Sequence, residues 1–144
     1  MKSILSLAAW VVCSAFVFSL TDQARAATPQ LDDKAAGVAT EVFLAGYLKA
    51  EGTNNDWIAQ SKLVTPEFKA AFKKAMSAKE IAVDPVLYAQ DVPSSPFKAQ
   101  SSKVKGDTAS VVVTAKYGDK PYSLKVALVA KDGHWLVSKT APAK

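Results

Sequence analysis

The only histidine of the chain, His134, lies close to Asp132 and Ser138, and these three residue types can together form a hydrolytic site. A general base must lie within hydrogen-bond reach of the proton that it removes, and nothing in the sequence brings a hydroxyl or an oxyanion hole to this imidazole. His134 also opens a predicted strand directly after a tight turn, where side chains are usually solvated. We therefore predict an exposed histidine and no catalytic residue here.

Asp84 and Asp91 are the acids best suited to chemistry, because a pair of carboxylates across a cleft can cleave a glycosidic bond. Each also lies at a proline turn, since Asp84 precedes Pro85 and Asp91 lies just before Pro93. Carboxylates in such positions commonly accept hydrogen bonds from the amides of the turn. We predict this structural role for both acids, and Gln90 between them is predicted to satisfy local backbone groups.

Tyrosines are the aromatic residues most suited to a binding pocket, because each carries a hydroxyl that needs a partner. If the fold contains a pocket, we expect tyrosines from three parts of the chain to line it together with the polar residues just described. The predicted lining residues are Tyr47, Tyr88, Asp84, Gln90, Asp91 and Tyr122.

Chemistry that needs a thiol or a guanidinium is excluded from residues 27–144, because Cys13 and Arg25 are the only residues of their types. Disulfides, thiolate nucleophiles and cysteine-based zinc sites are ruled out there. The single histidine and the scattered acids have no metal-binding spacing. We predict no metal and no other cofactor.

The first 26 residues have the pattern of a secretory signal peptide, with Lys2 followed by an uncharged, mostly apolar run from Ser3 to Thr21. Small residues at the first and third positions of Ala24-Arg25-Ala26 fit a cleavage site. An uncleaved membrane anchor is the alternative, because about 18 apolar residues can cross a bilayer; serines within the run favour cleavage. We predict a signal peptide at 1–26, one domain at 27–144, a periplasmic or secreted location, and no stable membrane anchor after processing.

Two to three helices are predicted in the first half of this domain. Helical spacing of apolar residues predicts a helix from about Asp32 to Glu51. Its predicted buried stripe is Ala35, Val38, Val42, Ala45 and Leu48, widened by Phe43, Leu44 and Tyr47. A short apolar segment follows around Trp57, and Thr65-Pro66-Glu67 then has the N-cap, first-turn proline and acid of a helix start. The predicted buried face of that helix is Phe68, Ala71, Phe72, Ala75 and Met76.

Three to four antiparallel strands are predicted in the second half. Residues 81–96, which we call the connector, contain several prolines and lose the helical period. Alternation of apolar and polar residues along 109–117 and 122–130 is typical of half-buried strands. Asp132-Gly133 predicts a hairpin leading to a strand with Trp135 on its buried side and His134 opposite, and 97–105 is a further strand. This order of elements predicts an α+β fold with the helices packed on the sheet.

Positive charge is concentrated in the sheet half: residues 27–97 carry 7 lysines and 9 acids, whereas residues 98–144 carry 9 lysines and 3 acids. A basic surface can face an anionic partner such as a membrane leaflet, a cell-wall polymer or an acidic protein. Alternatively, strand lysines protect the open face and edges of a sheet from pairing. We favour the second interpretation and predict no nucleic-acid partner, because this half lacks arginine for bidentate phosphate contacts.

Several segments along residues 27–144 carry a family resemblance. They are Phe43-Leu44-x-x-Tyr47-Leu48, Leu63-Val64-Thr65, Asp84-Pro85 through Gln90-Asp91-x-Pro93, the alternating strands, and Lys131-Asp132-Gly133-x-Trp135. Together they resemble a bacterial family of exported domains of unknown function with a cystatin-like, or nuclear transport factor 2-like, cone. The resemblance implies a curved sheet that wraps the first helix, with a pocket at the wide end. It implies no reaction, because this fold hosts enzymes, binding modules and scaffolds alike.

The main functional hypothesis is therefore a non-enzymatic binding or interaction module, whose partner is an unknown protein or small ligand of the cell envelope. One alternative is a small periplasmic hydrolase or isomerase that uses the pocket, which would need Asp84 or Asp91 in a desolvated position. Another is a periplasmic immunity or inhibitor protein that neutralises a toxin or an enzyme.

Overall fold

The computed structural model describes residues 31–78 and 81–143, so the predicted signal peptide at 1–26 lies outside the described residues. Within these ranges three helices precede four antiparallel strands, which confirms the predicted α+β fold. The elements are α1 Asp33–Lys49, α2 Asn54–Gln60, α3 Pro66–Met76, β1 Lys98–Lys105, β2 Thr108–Tyr117, β3 Lys120–Lys131 and β4 His134–Pro142. Strands adjacent in the chain are adjacent in one open sheet. No helix in the described ranges is long and apolar enough to cross a membrane.

The cap of α3 is the one that the sequence predicts, and α1 begins with a cap of the same kind. Asp32 precedes α1, and its carboxylate accepts a hydrogen bond from the amide of Ala35 at 2.7 Å. Thr65 precedes α3, and its hydroxyl accepts a hydrogen bond from the amide of Phe68 at 3.2 Å, with Pro66 in the first helical position. These contacts satisfy amides that the first turn of a helix otherwise leaves without a partner.

The buried face of α1 agrees with the prediction in part: Phe43, Leu44 and Tyr47 are buried as predicted, but none of the five stripe residues from Ala35 to Leu48 is. Its buried residues are Ala36, Gly37, Thr40, Phe43, Leu44 and Tyr47. Val38 and Val42, predicted to be in the core, are 54% and 51% exposed, and Ala45 is exposed as well. The helix is apolar around most of its circumference, so its period alone does not identify the inner side. The aromatic residues and Leu44 take the core because they remove the most apolar surface from water.

The other helices differ from prediction in smaller ways. Phe68 and Phe72 of α3 are buried, but Ala71 is exposed and does not belong to the buried face. The short apolar segment forms the separate helix α2, which buries Ile58. Gly46 of α1 allows Trp57 of α2 to approach closely, since a Cβ at Gly46 would lie 2.5 Å from the Trp57 ring.

The alternation predicted for the strands is confirmed. Val111 of β2 lies opposite Val126 of β3, and both are fully buried. Trp135 and Val137 of β4 are 6% and 1% exposed, whereas His134 is exposed. At the hairpin between β3 and β4 both Asp132 and Gly133 have positive φ angles, 51° and 76°, as a tight two-residue turn requires.

Neighbouring segments cover both edge strands of the sheet. The carboxylates of Asp33 and Glu41 on α1 accept hydrogen bonds from β1 amides, those of Val104 at 2.7 Å and Ala99 at 2.8 Å. On β4, the segment around Val64 pairs in parallel with Val137. Unpaired edge amides favour aggregation, and these contacts satisfy part of them.

Candidate functional site

Tyr47 and Asp84 come together although they are 37 residues apart in the chain. The Tyr47 hydroxyl donates a hydrogen bond to Oδ2 of Asp84 at 2.7 Å, while Oδ1 accepts from the amides of Val86 at 2.8 Å and Leu87 at 2.7 Å. Burial and the contact with the carboxylate raise the pKa of Tyr47 above its ordinary value, so the phenol stays a neutral donor. Through these hydrogen bonds Asp84 links the connector to Tyr47 in the core.

Two further tyrosines fasten the connector to the sheet. The Tyr88 hydroxyl donates a hydrogen bond to the carbonyl of Thr140 at 3.0 Å, and the Tyr122 hydroxyl donates to the carbonyl of Leu87 at 2.9 Å. Tyr88 has a positive φ of 54°, a conformation that is uncommon outside glycine. The connector is thus held in a strained turn by hydroxyl contacts on either side of it.

Gln90 and Asp91 lie on the solvent side of the same connector, and both are exposed. Gln90 donates to the carbonyl of Ala82 at 3.2 Å, a local contact of the kind predicted for it. The structure therefore groups Tyr47, Asp84, Tyr88 and Tyr122, but it uses their polar atoms within the fold. That these residues also bind a ligand stays a prediction.

Tyr117 is a member of this region that the sequence analysis did not single out. Its ring lies 5.1 Å from that of Tyr122, edge to face. Its hydroxyl is buried and has no hydrogen-bond partner among the described residues. Burial raises the pKa of Tyr117 to about 12. The alternation along this strand predicts that the Tyr117 side chain points toward the core. Only the folded structure shows that its hydroxyl lacks a hydrogen-bond partner.

A second region lies beside the start of α1. A groove of about 920 Å³, which we call the α1 groove, separates the start of α1 from residues 60–66 and from the hairpin between β3 and β4. Its apolar walls include Ala35 and Val38 from α1, Leu63 from the loop before α3, and Trp135 from β4. The indole nitrogen of Trp135 is buried and has no hydrogen-bond partner in the described part of the chain.

Lysines surround the apolar walls of the α1 groove. They are Lys34, Lys62, Lys69 and Lys131. Two acids also line it, but the carboxylate of Asp32 already accepts a hydrogen bond as the helix cap. Lys69 donates to the carbonyl of Ala59 at 2.9 Å, whereas Lys34, Lys62 and Lys131 are exposed. The α1 groove is therefore apolar inside and positively charged at its rim.

An exposed apolar strip continues from the α1 groove along the helix. Val38, Val42 and Ala45 form what we call the outer stripe of α1, because residues three and four apart lie on one helix face. At its far end, Ala45 and Leu48 border a smaller hollow with Val92 of the connector, which is 54% exposed. Val38, Val42 and Ala45 are among the residues whose spacing predicted a core face. The sequence therefore predicted an apolar stripe on α1, but not that this stripe would face outward.

The described residues contain no group of three or more histidine, cysteine or acidic side chains that could hold a metal ion. His134 borders the α1 groove from the exposed hairpin. This side of the molecule combines exposed apolar helix residues with lysines.

No family model and no curated protein matches the sequence. Two solved structures have a similar fold. One is a chain of the type VI native effector-immunity complex Tae3-Tai3 from Ralstonia pickettii, with a TM-score of 0.62 and 19% identity over 74% of this chain and 94% of that one. The other is a protein of unknown function from Bacteroides thetaiotaomicron, with a TM-score of 0.55 and 19% identity over 76% of this chain and 91% of that one.

Proposed function

We propose that this protein is an immunity or inhibitor protein, which neutralises a toxic enzyme by binding it and performs no chemistry of its own. The outer stripe of α1 carries the proposal. Val38 and Val42 are each more than half exposed on a helix whose opposite face is already buried. Helices that are apolar all round are normally covered on all sides, and exposed apolar patches rimmed by polar residues are typical of interaction sites.

The likeness to a chain of an effector-immunity complex supports a protein partner of this kind. Within such a pair, the residues of this chain fit the binding role better than the enzymatic one. Residues 27–144 have no thiol, and their one histidine is exposed at the start of β4. Asp84 accepts three hydrogen bonds from the fold, and Asp91 is exposed, so neither is the desolvated carboxylate that the hydrolase or isomerase alternative needs.

The proposal includes export to the periplasm and a cystatin-like classification of the fold. Export is supported by the signal-peptide pattern that ends at Ala26, and the classification by the resemblance of the helix, connector and hairpin segments. Intact-mass analysis of a periplasmic extract tests export: we expect a chain that begins at Ala27. A species that retains residues 1–26 in the membrane fraction would contradict it.

A competition experiment tests the immunity function. We assign delivery of the toxic enzyme to a type VI secretion system, as the effector-immunity complex of the structural neighbour suggests. A strain that lacks this gene is grown in contact with its parent, with that secretion system active, and the surviving fraction is counted. We expect survival to fall and to be restored by the full-length gene on a plasmid. A parent with an inactivated secretion system is the control and should kill neither strain. Equal survival with and without the gene would overturn the proposal.

A further inference from the structure

We infer that the α1 groove binds an acidic segment of the partner protein, whose apolar side chains lie on Val38, Leu63 and Trp135 while its carboxylates pair with the surrounding lysines. This inference rests on the proposed function and deepens it, because it names the chemistry of the surface that the partner presents.

The apolar part of the inference follows from the walls of the groove. Val38 is 54% exposed, and Leu63 is half-buried beside it, so apolar surface remains in contact with water. Trp135 is fixed in the core, which gives the groove a rigid end. A volume of about 920 Å³ is enough for several side chains of a protein segment. Covering these walls would stabilise a complex by removing apolar area from water.

The positive charge of the groove favours a negatively charged partner. Four lysines line it against two acids, and one of those acids, Asp32, is the cap of α1. Lys34 and Lys62 are exposed at opposite sides, one on the helix and one on the loop. A segment that enters between them meets positive charge from both walls, which favours carboxylates and increases the association rate.

A second copy of this chain does not fit the same surface. In a two-fold symmetric dimer the same patch lies on both sides of the interface, so the lysines of one α1 groove would face those of the other. Like charges placed together in this way oppose association. An acidic partner removes this repulsion, and the four groove lysines therefore favour a different protein.

Synthetic peptides test the inference directly on the purified protein expressed from its full coding sequence. The probe is a blocked peptide of alternating glutamate and leucine, compared with one of lysine and leucine and one of glutamate and serine. Backbone NMR signals are followed during titration. We expect saturable binding of the first peptide only, with the largest shifts at Val38, Leu63 and Trp135. Equal binding of the lysine peptide, or shifts centred on the open sheet face, would overturn the inference.

Matched variants then separate the two parts of the site. Lys34→Glu with Lys62→Glu should weaken binding of the glutamate–leucine peptide about tenfold. The control, Lys116→Glu with Lys125→Glu, changes the net charge equally at exposed strand positions outside the groove and should leave binding unchanged. Val38→Ser should weaken binding, and Val83→Ser, an exposed valine of the connector, should not. Equal losses in the groove variants and their controls would contradict the inference.

The two proposals can fail separately. If deletion of the gene does not alter survival but the peptide binds in the groove, the immunity function fails and the surface assignment stands. If deletion lowers survival and the Lys34→Glu, Lys62→Glu variant still protects as well as the natural protein, the surface assignment fails. A final assay measures binding to vesicles that contain phosphatidylglycerol. If the protein binds these vesicles and not the peptide, its partner is a membrane and the inference is overturned.

Discussion

At the scale of single residues, hydroxyl groups in similar surroundings have different roles. Tyr47 and Tyr117 both have raised pKa values because their phenols are buried. The Tyr47 hydroxyl donates to a carboxylate, whereas the Tyr117 hydroxyl has no partner among the described residues. A buried polar group without a partner costs free energy, so the two phenols contribute to stability with opposite sign.

Removal of each hydroxyl tests this difference. Tyr47→Phe should lower the free energy of unfolding by about 1.5 to 3 kcal/mol, as expected for loss of a hydrogen bond to a charged group. Tyr117→Phe should leave it unchanged or raise it, because no bond is lost and an unsatisfied group is removed. Urea denaturation at neutral pH measures both variants. Equal destabilisation would show that Tyr117 also has a partner.

Trp135 and His134 are adjacent but lie on opposite faces of β4. Trp135→Ala should destabilise the fold by about 3 to 5 kcal/mol, because it empties a buried site. His134→Ala, at an exposed position, should cost less than about 0.5 kcal/mol. Denaturant midpoints of the two variants decide this, and similar losses would mean that the face assignment is wrong.

Residue types and turn positions predicted some of these roles. The placement of Asp84 before a proline predicts an acceptor of turn amides, and Val86 and Leu87 donate to it as expected. Its third contact, from Tyr47, was not predictable, because α1 and the connector are brought together only by folding. The missing partner of the Tyr117 hydroxyl could not be predicted for the same reason.

At the scale of elements, carboxylates on α1 hold the helix over the edge of the sheet. Glu41 accepts from the amide of Ala99 at 2.8 Å and pairs with Lys98 at 3.2 Å. Its pKa is lowered, mainly by the hydrogen bond from the Ala99 amide; burial opposes this shift, and the hydrogen bond and charge of Lys98 add to it. A lowered pKa in the folded state gives stability that is present above the unfolded value of about 4.3 and is lost as the pH falls through the folded value.

Glu41→Gln should therefore lower stability at pH 7 by about 0.5 to 1.5 kcal/mol, and the difference from the natural protein should disappear near pH 3. Lys98→Ala, which removes only the largely exposed ion pair, should cost about 0.5 kcal/mol or less. Urea titrations across this pH range measure both. A difference for Glu41→Gln that persists unchanged at low pH would contradict the assigned role.

The contact between α1 and α2 depends on the absence of a side chain at Gly46. Alanine in a helix is favoured over glycine by about 1 kcal/mol. A Cβ at this position would meet Trp57, whose ring packs near those of Phe43 and Tyr47, at centroid distances of 5.8 and 6.2 Å. Overpacking costs about 1 to 3 kcal/mol, so Gly46→Ala should destabilise the protein in thermal unfolding.

The double variant Gly46→Ala, Trp57→Leu is the control for this contact. If the clash is the cause, the smaller side chain makes the alanine neutral or favourable, and the effects of the two substitutions are not additive. Additive losses would assign the effect of Gly46→Ala to another cause.

The elements themselves were predictable to different degrees. Alternation along β2 and β3 identifies the buried side because polar residues occupy the other side. On α1 both faces are apolar, and the sequence pattern predicted Val38 and Val42 to be buried together with Phe43 and Leu44, whereas the fold buries only the second pair. The choice depends on the fit of large side chains to the sheet, which is a property of the assembled core.

At the scale of the whole molecule, the face of α1 that remains outside gives the protein its exposed apolar surface. It joins the lysine-rimmed α1 groove at one end and a hollow beside the connector at the other. The sequence analysis identified the positive charge of the sheet half, but it did not predict that Lys131 from the sheet and Lys34 and Lys62 from the helical half would surround one groove. That arrangement depends on the hairpin lying beside the start of α1.

The surviving fraction in contact competition tests the central claim, that the outer stripe of α1 is the surface through which the protein neutralises its partner. A strain without the gene is complemented with Val38→Lys, Val42→Lys or with the control Ile81→Lys, Val83→Lys, which alters exposed apolar residues of the connector, and immunoblots verify equal protein levels. We predict that the control protects as well as the natural protein and that the α1 variant does not. Full protection by the α1 variant would contradict the claim.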